Sequence, residues 1–111
     1  MNCFSMCLDL KNDPEAIEKY IHYHKNVWPE VESALKEVGI ISMRIFHTKG
    51  RLFMVMETKD DFSPEIDFPK YLEIHHKCKE WDRLMQNFQQ KIPGAKESDW
   101  WSSMDLVYHL K

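Results

Sequence analysis

The sequence predicts a single α+β domain whose elements follow the order β-α-β-β-α-β. Two observations predict it. Segments with strand periodicity and segments with helical periodicity alternate in that order, and the two central strands are joined by a short turn at residues 48–50. This order is typical of the ferredoxin-like arrangement, a four-stranded antiparallel sheet with its helices on one face. The length of 111 residues suits one domain, here taken as 1–111.

The first half of the chain contains a strand and an interrupted helical segment. Apolar residues alternate with polar ones over residues 4–10, as in a half-buried strand. Asp13 and Pro14 suit the N-cap and first position of a helix. Pro29 disfavours helical geometry at the preceding Trp28, so we expect an interruption there, and Gly39 is expected to end the second helical piece.

The second half completes the pattern. Residues 40–47 and 51–58 are predicted as the strands of a hairpin. Residues 60–69 hold two prolines and four acids and are predicted as a loop with one helical turn. Helical spacing of apolar residues extends over 70–90, and residues 104–110 are predicted as the last strand.

The strand at 51–58 has apolar side chains on both of its faces. Phe53 and Val55 alternate with Met54 and Met56, so both sides of the sheet need cover. Helices can cover one side only. We therefore expect a homodimer that packs sheet to sheet in a barrel-type assembly.

Composition excludes several classes of function. The net charge of −3 and the pI near 6.0 argue against a nucleic-acid surface. No apolar run is long enough for a membrane span, and the first residues do not resemble a signal peptide. Cys3, Cys7 and Cys78 are odd in number and have no framework spacing, which predicts reduced thiols and a cytoplasmic protein.

Residues 20–30 carry the side chains best suited to chemistry. His24 can exchange protons near neutral pH, and Tyr20 lies one helical turn before it on the same face. The alternative is a solvent-facing or capping histidine. His22 lies two positions from His24, and such positions point apart on a helix, so we expect no shared metal ion.

Other candidates are weaker. Trp81, in the helix predicted over 70–90, suits a core position as well as a pocket wall. Trp100 and Trp101 could pack a dimer or roof a pocket, and packing is favoured. Glu57, if it faced inward, would need a partner such as a sugar hydroxyl or His24. The residues alone thus indicate a small cofactor-free pocket with a candidate acid/base.

An ordered set of motifs resembles the L-rhamnose mutarotase family over nearly the whole chain. The set comprises Tyr20-x3-His24-x3-Trp28-Pro29-Glu30, Gly39, Leu52-Phe53…Glu57, and Trp81-x3-Met85 before a closing apolar segment. The resemblance implies a dimeric ferredoxin-like enzyme that interconverts the α and β anomers of an L-sugar without metal or cofactor.

The resemblance also implies roles for individual residues. His24 falls at the family's proton donor, and Tyr20 and Trp81 fall at substrate-contacting positions. Met43 and Asp82 stand where the rhamnose-type members carry Tyr and a second Trp. The segments 51–63, 80–85 and 88–96 resemble the L-fucose mutarotase branch instead, so we expect L-fucose as the preferred monosaccharide and L-rhamnose as a second candidate.

Mutarotation requires one acid and one base. On this resemblance His24 is expected to protonate the ring oxygen, while Asp82, Glu57 or a held water accepts the anomeric proton. Asp82 is also expected to contact the sugar. Two other classes remain open: a cofactor-free small monooxygenase of similar fold, which would take up oxygen or bind haem, and a non-catalytic dimer that binds a small ligand.

Overall fold

The computed structural model describes residues 1–111 as a five-stranded antiparallel sheet covered by four helices. Strands β2-β3-β1-β4 lie side by side in that order, and β5 pairs with β1. The element bounds, in chain order, are β1 Asn2–Leu10, α1 Pro14–Tyr23, α2 Pro29–Glu37, β2 Ile40–Thr48, β3 Arg51–Thr58, α3 Pro64–Ile74, α4 His76–Gln86, β4 Gln89–Gln90 and β5 Ser102–Ser103. The ferredoxin-like α+β prediction is confirmed.

The two faces of the sheet differ sharply in burial. On the inner face, Leu8 of β1 lies opposite Leu52 of β3, and both are fully buried beneath the helices. On the outer face, Phe46 of β2 lies opposite Phe53 of β3, and no element of the chain covers them. Phe46 is 53% exposed. Period-two alternation in β3 therefore separates a covered core face from an uncovered apolar face.

The prediction of a loop at 60–69 is wrong over most of its length. Helix α3 begins at Pro64, and the carboxylate of Asp67 accepts a hydrogen bond from the backbone N–H of Ser63 at 2.8 Å. Proline is favoured at the first helical position, and acids in the first turn suit the helix dipole. The same residues that suggested a loop therefore start a helix.

The helix predicted at 70–90 is interrupted. His75 has extended backbone geometry, with φ −150° and ψ 142°, and it ends α3 and caps α4. Its Nδ1 accepts a hydrogen bond from the N–H of Lys77 at 3.1 Å. At the other end the chain leaves α4 before Gln89–Gln90, which pair with Asp9 and Leu10 of β1.

The last strand predicted at 104–110 does not form. The place beside β1 is taken by the two-residue strands β4 and β5, and Met104 makes the final backbone bond there, to the carbonyl of Ser5. Beyond it the apolar side chains face solvent: Leu106 is 80% exposed and Leu110 is 78% exposed. The alternation in this segment is genuine, but the segment pairs with no strand of its own chain. None of the helices is long and apolar enough to cross a membrane.

Candidate active site

The end of helix α1 brings Tyr20 and His24 into ring contact. The two ring centroids lie 4.3 Å apart, one helical turn from each other. His24 is the C-cap of α1, and α2 begins at Pro29 with Trp28 as its N-cap. The predicted pairing of phenol and imidazole is thus present in the structure.

A backbone contact fixes the orientation of the His24 ring. Its Nδ1 lies 2.8 Å from the carbonyl oxygen of Tyr20. A carbonyl oxygen can only accept, so Nδ1 carries a proton and Nε2 is left as the atom that gains or loses one. Burial lowers the pKa of His24 below its usual value, and the bond to the Tyr20 carbonyl opposes this only in part. Neutral imidazole with a free Nε2 is therefore the resting form at neutral pH.

Indole rings form the walls around this imidazole. The ring of Trp81 lies 5.4 Å from that of His24 and 5.1 Å from that of Trp28, in both cases edge to face. The ring of Tyr23, in α1, lies 6.3 Å from that of Trp81. Trp81 is only 8% exposed, so it is both core and wall. Such surfaces suit the apolar C–H face of a sugar ring.

The phenol of Tyr20 is buried. Burial raises the pKa of Tyr20 to about 12, and the nearby amide of Gln89 partly offsets this effect. Gln89 is itself buried, and its Oε1 accepts a hydrogen bond from the indole Nε1 of Trp100. The adjacent Trp101 packs against the core instead. The two tryptophans before the last segment therefore have different roles.

Asp82 lies beside this cluster rather than within it. Its carboxylate accepts a hydrogen bond from the side chain of Gln86 at 3.0 Å, one turn along α4, and makes none to Tyr20 or His24. Burial raises the pKa of Asp82, and neighbouring Arg83 opposes the shift. Asp82 is half-buried and directly follows Trp81 on α4.

Glu57 does not belong to the site. In the β1–β3 register it lies opposite Cys3, on the outer face of the sheet, and it forms an ion pair with Arg44 at 3.9 Å. The sheet separates it from His24, so the hypothesis that Glu57 accepts the anomeric proton is wrong. His22 is exposed on α1, and nowhere do three or more side chains of the His, Cys, Asp and Glu types converge as a metal site would require.

The sequence patterns did not predict that Gln89 would be buried. A polar residue after a helix carries no signal of burial, and only its place among the motifs of the L-fucose branch drew attention to it. Trp28 was expected as a helix interruption, whereas its ring also forms part of the wall. An open polar cleft of about 420 Å³ lies elsewhere, at the β2–β3 turn beside the Asp9–Arg51 ion pair. It contains none of these rings, so we place the candidate site at His24.

Comparisons with known proteins identify the family of the chain. The model of the family described as L-rhamnose mutarotase matches residues 2–110. The chain is 53% identical over 110 residues to a UPF0734 protein from Dictyostelium discoideum, covering 96% of this chain and 88% of the relative. It is 30% identical over 105 residues to an L-fucose mutarotase from Xanthomonas campestris, covering 93% and 83%.

Among solved structures, the fold is similar to that of an L-rhamnose mutarotase from Formosa agariphila. The TM-score is 0.72 with 19% identity, and the match covers all of both chains. This likeness supports the fold, while the family match rests on sequence. The chain therefore belongs to the L-rhamnose mutarotase family and is an isomerase that acts on the anomers of a sugar.

Proposed function

We propose that the protein interconverts the α and β anomers of a 6-deoxy-L-hexose, with L-fucose preferred over L-rhamnose. The observation that carries the proposal is the fixed imidazole of His24, whose Nε2 is free within a wall of indoles. A single ring with one nitrogen anchored and the other available is suited to moving one proton back and forth.

The proposed reaction opens and closes the pyranose ring. His24 in its imidazolium form donates a proton from Nε2 to the ring oxygen O5 as the C1–O5 bond breaks. The C1 hydroxyl loses its proton at the same time, so that C1 becomes an aldehyde. Rotation about C1–C2 presents the other face of the carbonyl, and O5 then attacks it. His24 takes its proton back from O5, and O1 regains one.

We assign the second proton transfer to a held water. Asp82 makes no hydrogen bond to Tyr20 or His24, and its carboxylate is engaged by Gln86. Asp82 is better placed to accept a hydrogen bond from another sugar hydroxyl. Tyr20 orients the sugar through its phenol, and Trp81 stacks on the apolar face of the ring or on the C6 methyl group.

The preference for L-fucose rests on two positions and one relative. Met43 is partly buried on the inner face of β2, packed against the core, and it offers no hydroxyl to a substrate. Asp82 offers a carboxylate where a second indole would stack. The relative from Xanthomonas campestris that bears the name L-fucose mutarotase aligns over most of both chains. Together these differences favour a sugar that presents a hydroxyl toward Asp82.

We also propose that two copies pack through the outer face of the sheet. Phe46, Phe53 and Val55 lie there without cover from their own chain. The exposed apolar side chains of the last segment add to the surface that a second copy would remove from water. Sedimentation of wild type and of Phe46→Glu tests this, because a monomeric wild type would contradict it. The three unpaired cysteines support a cytoplasmic location.

Saturation transfer between anomeric protons tests the activity directly. Wild-type protein is expected to accelerate exchange in L-fucose more than in L-rhamnose, and both more than in D-glucose. His24→Ala should abolish the acceleration. No acceleration with any of the three sugars would remove the proposed reaction, and oxygen uptake or haem binding would then favour the monooxygenase alternative.

A further inference from the structure

Lys77 is a cation beside the ring cluster that the proposed reaction does not use. Its Nζ lies over the Trp28 ring, 5.2 Å from the ring centroid. Lys77 stands four positions before Trp81 on α4, so the two side chains share one face of that helix. The Trp28 indole therefore contacts both of them across a single turn of α4.

Two local contacts hold Lys77 in this place. Its backbone N–H donates to Nδ1 of His75, which caps the first turn of α4. Its Nζ also lies 3.5 Å from a carboxylate oxygen of Glu80, and both side chains of this pair are more than 40% exposed. An ion pair so exposed contributes little, whereas an ammonium over the face of an indole is attracted by the ring itself.

Ring contacts decide how the Trp28 indole is oriented. Trp28 is the N-cap of α2, but its side chain makes no capping hydrogen bond. Its backbone carbonyl accepts from the N–H groups of Val31 and Glu32, which fixes the backbone and leaves the side-chain rotamer open. The indole is half-buried. The Lys77 ammonium is thus a restraint on a ring that the α2 cap does not hold.

The series of contacts continues to the proton-transfer site. Trp28 meets Trp81 edge to face at 5.1 Å, and Trp81 meets His24 edge to face at 5.4 Å. The attraction in an edge-to-face pair depends on the orientation of both rings. A change in the orientation of Trp28 would therefore disturb Trp81, the ring on which the sugar is proposed to stack.

We propose that Lys77 is a positioning residue that holds the Trp28 indole against Trp81 and so fixes the stacking wall of the sugar site. The inference rests on the proposed mutarotation and adds a residue to that site. The wall contacts the sugar before and during ring opening alike, whereas the imidazole of His24 is anchored by the Tyr20 carbonyl. Loss of the Lys77 ammonium should therefore weaken binding and leave proton transfer intact.

Lys77→Met tests the role of the ammonium, because it keeps an apolar stem of similar length. We expect KM for anomer exchange of L-fucose to rise about two- to fivefold, the effect of a partly exposed cation–π contact, with kcat unchanged. Lys77→Arg keeps a cation over the ring and should restore the wild-type KM. Lys79→Met is the matched control, since Lys79 lies on the same helix but pairs with Glu73. Its KM should equal that of wild type.

Two further variants separate the ring contact from the ion pair. Glu80→Gln removes the carboxylate partner and leaves the ammonium over Trp28, so KM should not rise. Trp28→Leu removes the ring and should itself raise KM. In that background Lys77→Met is expected to have no further effect, because the contact is already lost.

The indole N–H signals of a proton–nitrogen correlation spectrum test the contact without any substrate. Lys77→Met should shift the signals of Trp28 and Trp81, while those of Trp100 and Trp101 stay in place. Replacement of each tryptophan by phenylalanine assigns the four signals. A general loss of structure would move all four, so this pattern distinguishes positioning from unfolding.

Each outcome has a distinct meaning. The positioning role would be overturned by an unchanged KM in Lys77→Met, by an equal rise of KM with and without Trp28, or by a rise of the same size in Glu80→Gln. Failure of Lys77→Arg to restore KM, or indole signals that do not move, would overturn it too. Absence of exchange in wild type would instead remove the proposed function, and the indole signals would still test the contact, so the two failures are distinguishable.

Discussion

The two interruptions between helices use the same side chain in opposite ways. His24 ends α1, and its Nδ1 donates to a carbonyl of the last turn. His75 precedes α4, and its Nδ1 accepts from an N–H of the first turn. Carbonyls are left unpaired at the C-terminal end of a helix and N–H groups at the N-terminal end, so each end requires the opposite tautomer.

The difference decides which histidine is suited to chemistry. Protonation of neutral His24 occurs at Nε2, because Nδ1 already carries a proton, and the cap survives. The Nδ1 of His75 is instead the acceptor that caps α4, so this nitrogen is committed to the helix. The surroundings differ too, since His24 lies against Trp81 whereas His75 stacks on His76 at 4.4 Å. A proton can therefore pass through His24 without disturbing the helix that holds it.

The largest expected effect comes from making one substitution at both interruptions. His24→Asn retains a donor for the Tyr20 carbonyl but cannot transfer a proton, so kcat should fall on the order of 10²- to 10⁴-fold. His75→Asn retains an acceptor for the Lys77 N–H, so the cap of α4 is kept. Its kcat should therefore stay within about twofold of wild type. Anomer exchange of L-fucose, followed by NMR, measures both. Equal losses at the two positions would break the comparison.

The second effect is a pH dependence specific to His24. Acid catalysis requires the imidazolium form, and burial lowers the pKa of His24 below about 6.5. We expect kcat/KM, corrected for uncatalysed exchange, to decrease as pH rises through that lowered pKa. His75→Asn should keep this limb. A rate that rises with pH through the same range would make His24 the base instead.

Asp82→Asn should have a smaller effect. If the carboxylate only binds a hydroxyl, the loss in kcat/KM should be about tenfold or less and should appear mainly in KM. Burial raises the pKa of Asp82, so its charged form costs folding free energy at neutral pH. Asp82→Asn removes this cost, and the melting temperature should therefore not fall. A hundredfold loss in kcat would instead identify Asp82 as the base and displace the water.

The smallest effect concerns stability. His75→Ala removes an N-cap acceptor and should lower the free energy of unfolding by about 1 kcal/mol. For His24 the folded-state pKa is depressed, so its contribution to stability is present above the unfolded pKa and lost as pH falls through the folded one. Lowering the pH from 7 to 5 should therefore destabilise wild type more than His24→Asn. Melting temperatures measured at the two pH values check this. An equal pH effect on both proteins would contradict the role of His24 burial.

Periodicity and motif spacing predicted the sheet and the central ring pair, and they failed where an individual side-chain contact determines the structure. Alternation in β1 and β3 is a property of each strand, so it is visible in sequence. The capping roles of Asp67 and His75 are contacts at helix ends, and a run of prolines and acids does not distinguish them from a loop. The ring contact of Trp81 with His24 joins residues far apart in the chain, which no local pattern encodes.

The placement of the indoles gives the protein a built-in optical signal. All four tryptophans lie in or beside one region: Trp28 and Trp81 in the ring cluster, Trp100 bonded to Gln89, and Trp101 against the core. Indole emission depends on the polarity around the ring, so displacement of water by a sugar should shift the spectrum. Affinity can then be titrated without label, and Trp100→Phe separates the signal of the hydrogen-bonded indole from that of the walls.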